Sequence, residues 1–231
     1  MELRILSAGA AKGLVYAIQE VFTADTGAVI SGAYGAVGAM KDKLLSSEPC
    51  DVIILTEALI AELTRSGQVL PGSSRPLGRV RTGIAVRKGT PLPDISNRAA
   101  LKGNLMAANG IYFPDPQRAT AGIHFVNVLK QLGIYDELLS RLRPYPNGAI
   151  AMQQLAQSRE ALLIGCTQVT EIKYTAGVSL VGLLPPEFEL STVYVAAVCS
   201  KAAQPAGARR LVELLSGDAS LAQRSAAGFE I

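Results

Sequence analysis

Tryptophan is absent, histidine occurs once, and aromatic residues make up only 5% of the 231-residue chain. Stacking platforms for bases or sugar rings are therefore scarce. Charge bias is small as well: 22 Lys and Arg against 19 Asp and Glu leave a net charge of +3. The basic residues are scattered, so no nucleic-acid partner is expected. No run approaches the roughly 20 apolar residues of a spanning helix, so the chain is not expected to be membrane-embedded. The opening Met-Glu-Leu-Arg-Ile-Leu has neither the basic nor the apolar region of an export leader. The chain as written is expected to be cytoplasmic, and periplasmic if a leader has been removed. Cys50, Cys166 and Cys199 are odd in number and form no close pair in sequence, which argues against a disulfide framework, and they read as buried thiols. The single His124 excludes a multi-His zinc site and weakens any nucleophile–histidine scheme. Neither a metal nor a cofactor is expected.

Hydrophobic residues reach 49% and charged ones 18%, ordinary values for a packed core. They fall in a repeating rhythm of apolar run, small-residue turn and amphipathic helix. Residues 3–7 read as a strand, 8–13 as a turn and 14–24 as a helix. Residues 28–31 then read as a strand, 32–38 as a Gly-rich loop and 39–46 as a helix. The apolar run 51–55 has the pattern of a buried parallel strand, and a helix over 57–66 follows it. Residues 80–87 form a strand without a matching helix, before the Pro-rich stretch 90–93. A second series follows: helix 97–105, strand 110–113, loop 114–120, helix 121–132, helix 149–157, strand 161–165 and turn 166–170. Strand 193–200 and helices 206–215 and 220–227 complete the chain.

This alternation predicts an α/β protein of two lobes. The first would be residues 1–79 plus 190–231 and the second 80–189, joined by crossing strands at 80–87 and 193–200. Such a layout leaves a cleft between the lobes, where ligands usually bind. Turns at the C-terminal ends of strands would line it, namely 8–13, 32–38, 114–120 and 146–148. Their small residues let backbone N–H groups and helix N-termini approach an anion. Gly32-Ala-Tyr-Gly35-Ala-Val-Gly38 lacks the Gly-Lys-Ser/Thr ending of a phosphate loop and has the wrong spacing for a dinucleotide, so nucleotide binding is rejected.

Three segments carry a family resemblance: Ser7-Ala-Gly-Ala-Ala-Lys-Gly13, Pro49-Cys-Asp-Val-Ile-Ile-Leu-Thr56 and Asp115-Pro-Gln-Arg-Ala-Thr-Ala-Gly122. Val128-Leu-Lys-Gln-Leu-Gly133, the closing Leu214-Leu-Ser-Gly-Asp-Ala-Ser-Leu-Ala-Gln and Gly228-Phe-Glu-Ile231 agree with them in order. The chain resembles the molybdate-binding-like branch of type II periplasmic solute-binding proteins over nearly its whole length. The resemblance implies two α/β lobes that close by a hinge on a ligand. Within this branch, the Ser-Ala-Gly-Ala-x-Lys start resembles that of aconitate isomerases, which work without a cofactor.

The departures from that branch concern the ligand. Molybdate binders place hydroxyls in the first two cleft loops, where this chain has Ala10 and the 36–37 stretch of Ala36 and Val37. The tyrosine expected in the fourth strand's turn falls near Thr167. A metal oxyanion would lose several charge-assisted hydrogen bonds here, each worth roughly 1–3 kcal/mol. The remaining set suits carboxylates: Lys12, Tyr34 with Gly35, Thr56, Arg118, and Thr120 with Ala121, completed by Asn147, Thr167 and Gln168. Thr120 reads equally as the N-cap of helix 121–132, and Glu171 as a surface carboxylate at a helix start rather than a base. His124 reads as a packed structural residue or, more pointedly, as a titratable group lining the cleft.

The expected function is therefore binding of a small di- or tricarboxylate as a transporter-type solute receptor, with an importer permease as partner. The alternative is a cofactor-independent isomerase on the same fold, with Lys12, Tyr34 or His124 moving an allylic proton. A molybdate or oxyanion receptor comes next. A sensing domain of a transcription regulator is the weakest, because no helix-turn-helix segment precedes Leu3 and a partner chain would have to supply one.

Overall fold

The computed structural model describes residues 2–231. The first elements are β1 (Glu2–Ala8), α1 (Lys12–Thr26), β2 (Val29–Gly35), α2 (Val37–Leu45), β3 (Val52–Thr56), α3 (Glu57–Arg65) and β4 (Arg75–Arg87). Next come α4 (Arg98–Ala107), β5 (Gly110–Pro114), α5 (Thr120–Gln131), α6 (Tyr135–Leu138), β6 (Leu142–Tyr145) and α7 (Gly148–Gln157). The chain closes with β7 (Leu163–Gln168), α8 (Val169–Tyr174), β8 (Val178–Leu183), β9 (Ser191–Val198), α9 (Pro205–Ser216) and α10 (Leu221–Ala227). Two compact units result: unit 1 is Met1–Val80 with Thr192–Ile231, and unit 2 is Arg81–Ser191.

In unit 1 the strands run in the order β2-β1-β3-β9. β1 is parallel to β2 and β3, while β9 is antiparallel to β3. Side chains alternate across the sheet. Val52 and Ile54 pack with Leu14, Ile18 and Phe22 of α1 and Leu211 of α9. Ile53 and Leu55 pack with Met40 and Leu44 of α2 and Ile60 and Leu63 of α3. A strand covered on both faces must be apolar at every position, which is why 52–55 reads as one unbroken run.

Residues 32–35 belong to β2 rather than to a Gly-rich loop: Gly32 pairs with Ile5 and Gly35 with Ala8. Each glycine costs a strand roughly 0.5–1 kcal/mol. Burying one large side chain on the adjoining core contributes roughly 1.5–3 kcal/mol, so the ladder outweighs local propensity.

Unit 2 carries the strand series β8-β4-β7-β5-β6, with β4 antiparallel to β7 and β8, and β5 parallel to β6 and β7. Ile84, Ile111, Phe113 and Ile164 face α4 and α5 through Leu101, Leu105, Phe125 and Leu129. Ala85, Tyr112 and Leu163 face α7 and α8 through Met152, Leu155 and Ile172.

Several boundaries differ from expectation. The strand expected at 80–87 begins at Arg75, and the one expected at 193–200 is Ser191–Val198. Cys199 leaves that ladder to bridge Val69. The turn expected at 166–170 is the end of β7 and the start of α8, and β6 and β8 are additional strands. β6 is only Leu-Arg-Pro-Tyr and β8 is half-buried throughout, so neither has a strong alternation to read. All three cysteines are buried free thiols, as expected, and Cys199 Sγ lies 3.4 Å from Cys50 Sγ. Antiparallel pairing of β3 with β9 brings these distant residues together. No helix among the described residues is long and apolar enough to cross a membrane.

Candidate functional site

Parallel strands end at one edge of a sheet, so the helices that follow them start there together. In unit 1 that edge holds Ala8, Gly35 and Thr56, the last residues of β1, β2 and β3. Ala10 sits buried in the short 3₁₀ turn Gly9–Ala11, and Lys12 opens α1. The Lys12 Nζ lies 5.5 Å from the ring centre of Tyr16 and 5.6 Å from that of Tyr34. The two rings meet edge to face at 5.6 Å. A helical i, i+4 step puts Lys12 and Tyr16 on one face, and β2 supplies Tyr34. Each ring face stabilises an ammonium by roughly 0.5–1 kcal/mol at an exposed site, enough to restrict its directions. Thr56 is half-buried before α3, and its side chain makes no capping bond. Ala36 is buried before α2 and brings no hydroxyl.

In unit 2 the corresponding edge follows β5, β6 and β7. Asp115 Oδ1 accepts from the N–H of Gln117 at 2.7 Å and of Arg118 at 2.9 Å, fixing the turn after β5. The N-cap of α5 is Ala119, with no side-chain capping bond, so Thr120 is the first helical residue and not the cap. Gly122 lets this turn pack on β5: a Cβ there would lie 2.2 Å from the Pro114 carbonyl oxygen. Arg118 is exposed, Thr120 half-buried and Ala121 buried. Asn147 caps α7, its Oδ1 accepting from Ile150 N–H at 2.9 Å.

The start of α7 already holds a carboxylate. Glu171 accepts a 2.6 Å hydrogen bond from the Thr167 hydroxyl. It also takes backbone N–H bonds from Ala149, Gly148 and Gln168. Gly148 makes the approach possible, because a Cβ there would lie 2.1 Å from Glu171 Oε2. Glu171 is buried, not the surface carboxylate expected from sequence. Burial pushes its carboxyl above the usual range, against the lowering effect of those hydrogen bonds.

The structure thus groups Ala10, Lys12, Tyr34, Gly35 and Thr56 at the strand ends of unit 1. It groups Arg118, Thr120, Ala121, Asn147, Thr167 and Gln168 at those of unit 2. Gln168 is the buried last residue of β7. His124 stands apart in role: its Nε2 is 2.7 Å from the carbonyl oxygen of Phe188, tying α5 to the 3₁₀ turn Pro186–Phe188. Sequence reasoning missed Tyr16, whose signal was the i+4 spacing from Lys12, and the burial of Glu171. No group of three or more His, Cys, Asp or Glu able to hold a metal ion occurs among the described residues.

Known proteins agree on the family. The pattern of bacterial extracellular solute-binding proteins matches residues 3–230. An aconitate isomerase from Pseudomonas sp. is 30% identical over 223 residues, 93% of this chain and 82% of that protein. The periplasmic molybdate-binding protein of Azotobacter vinelandii superposes with a TM-score of 0.82 at 22% identity, covering 99% of each chain. The sulfate-binding protein SubI of Mycobacterium tuberculosis gives 0.76 at 16% identity, over 99% of this chain and 86% of that one. At these identities the two structures speak for the fold alone. The chain belongs to the bacterial extracellular solute-binding proteins and has the type II periplasmic-binding-protein fold.

Proposed function

We propose that this protein binds a small di- or tricarboxylate of the aconitate type. The observation that carries the reading is the Lys12 ammonium set against Tyr16 and Tyr34 at the strand ends of unit 1. At Ala10 and Ala36, where the resemblance to molybdate binders implies hydroxyl donors for an oxyanion, this chain has none. Lys12 supplies a point charge for one carboxylate, while the Tyr34 ring lies back over Gly32 and holds the ammonium instead of turning its hydroxyl to the strand end. The turn before α5, with Arg118, Thr120 and the N–H groups at the helix start, is a second candidate place for a carboxylate. The aconitate isomerase that is 30% identical supports the same ligand class. As a receptor the protein would deliver its ligand to an importer permease.

The same relative favours a second reading, isomerisation of the bound acid without a cofactor. That reaction requires a group that removes and returns an allylic proton. Of the three residues expected from sequence, Lys12 is the candidate, since the Tyr34 hydroxyl lies over Gly32 and His124 is engaged by the Phe188 carbonyl.

Calorimetry with cis-aconitate, trans-aconitate, citrate, molybdate and sulfate tests the ligand class. Heat from at least one tricarboxylate and none from molybdate is expected; the reverse pattern overturns the proposal. Incubating the protein with cis-aconitate and following trans-aconitate by chromatography separates the readings. Turnover makes it an isomerase, and binding without turnover a receptor.

A further inference from the structure

We propose that Cys50 and Cys199 form a disulfide that joins the two chain segments of unit 1. Cys50 lies in the turn before β3 and Cys199 just past the end of β9, 149 residues apart in sequence. Their sulfurs are 3.4 Å apart, and the Cys199 thiol donates to Cys50. The register of Val52 with Val198 and the 2.9 Å bond from Cys199 N–H to the Asp51 carbonyl hold both backbones in place. Bond formation needs the sulfurs to close from 3.4 Å to about 2.05 Å. Cys166, by contrast, belongs to the core of unit 2.

The oxidant is a small-molecule disulfide, which carries the two electrons. The Cys50 thiolate attacks one of its sulfurs and displaces a small thiolate, leaving a mixed disulfide at Cys50. The Cys199 thiolate then attacks the Cys50 sulfur, forming the Sγ–Sγ bond and displacing the second small thiolate. The two protons lost by the protein thiols end on the two small thiols released.

Cys50 is 7% exposed and Cys199 1%, so entry is through Cys50. The neighbouring Cys50 thiol and burial together raise the Cys199 pKa, which makes exchange slow in the closed fold. The bond therefore forms readily as the chain folds in an oxidising compartment and slowly afterwards. All of unit 2 lies within the closed loop, and cross-links across long loops restrict the unfolded chain most.

The test is refolding from denaturant in a mixture of reduced and oxidised glutathione, followed by alkylation in denaturant and mass spectrometry. One alkylated thiol, a parent mass about 2 Da below the reduced form, and a Cys50–Cys199 linked peptide are expected. The oxidised protein should also unfold at higher urea than the reduced one, with Cys166→Ala leaving that difference intact. Cys199→Ser should abolish the link. Three alkylated thiols after refolding, a link through Cys166, or an oxidised form that unfolds at lower urea would overturn the proposal.

Discussion

The carboxyl of Glu171 takes the Thr167 hydroxyl and three backbone N–H groups, two of them at the start of α7. An anion arriving from solution would have to displace this internal acid, so the helix end predicted as a ligand contact is served from within unit 2. Its burial has a consequence for pH. Desolvation raises the folded-state pKa above the ordinary 4.5. An acid so shifted binds more protons folded than unfolded, and stability falls as pH rises from 4.5 through the shifted value. Relative to Glu171→Gln, which does not titrate, the wild type should lose urea resistance from pH 4.5 towards neutrality. Urea midpoints across that range check this, and a difference that grows in favour of the wild type would show the hydrogen bonds outweighing burial. The residue's setting was not legible in sequence, because the groups that bury it come from α7, more than twenty positions earlier. The place of Lys12 at the start of α1 was legible, since strand–turn–helix logic leads straight to that edge.

Among the elements, α5 depends on one small residue. Gly122 sits in its first turn with the Pro114 and Asp115 carbonyl oxygens 2.2 and 2.3 Å from where a Cβ would be. Gly122→Ala must push the helix start off β5, and overpacking of this kind costs roughly 1–3 kcal/mol or more. Gly103, inside α4, has nothing within 4 Å of the same position. Gly103→Ala should instead stabilise by roughly 0.4–1 kcal/mol, through a less flexible unfolded chain. Chemical denaturation of both variants checks the pair, and equal effects would mean that close packing at α5 is not what requires glycine. Element type was readable where periodicity was strong, as in α1, α5 and β3. At β2 the strand was read but cut short at residue 31, because glycines hid the end of a seven-residue ladder, and β6 and β8, short or half-buried, were missed. Pairing partners supply what those segments lack, and pairing is a long-range property.

At the scale of the whole molecule, the family was legible because its motifs keep their order over the full chain. The ligand was less so, because backbone N–H donors at helix starts leave no mark in residue identity. Mass action offers a direct measure of ligand class, since whatever binds only the folded protein raises its melting temperature. At a hundredfold excess over Kd, binding contributes about 2.7 kcal/mol. For a chain of this size each kcal/mol is worth about 2–4 °C, so the cognate tricarboxylate should raise Tm by roughly 5–11 °C. Lys12→Ala removes a charge-assisted contact of roughly 1.5–3 kcal/mol and should weaken binding about 10- to 150-fold. At the same ligand concentration its Tm should then rise by only about 1–6 °C, while the ligand-free Tm stays near that of the wild type. Differential scanning fluorimetry of both proteins over a ligand series reads this out. A Lys12→Ala curve that overlays the wild type would take Lys12 out of the binding site, and a shift with sulfate or molybdate alone would take carboxylates out of the ligand class.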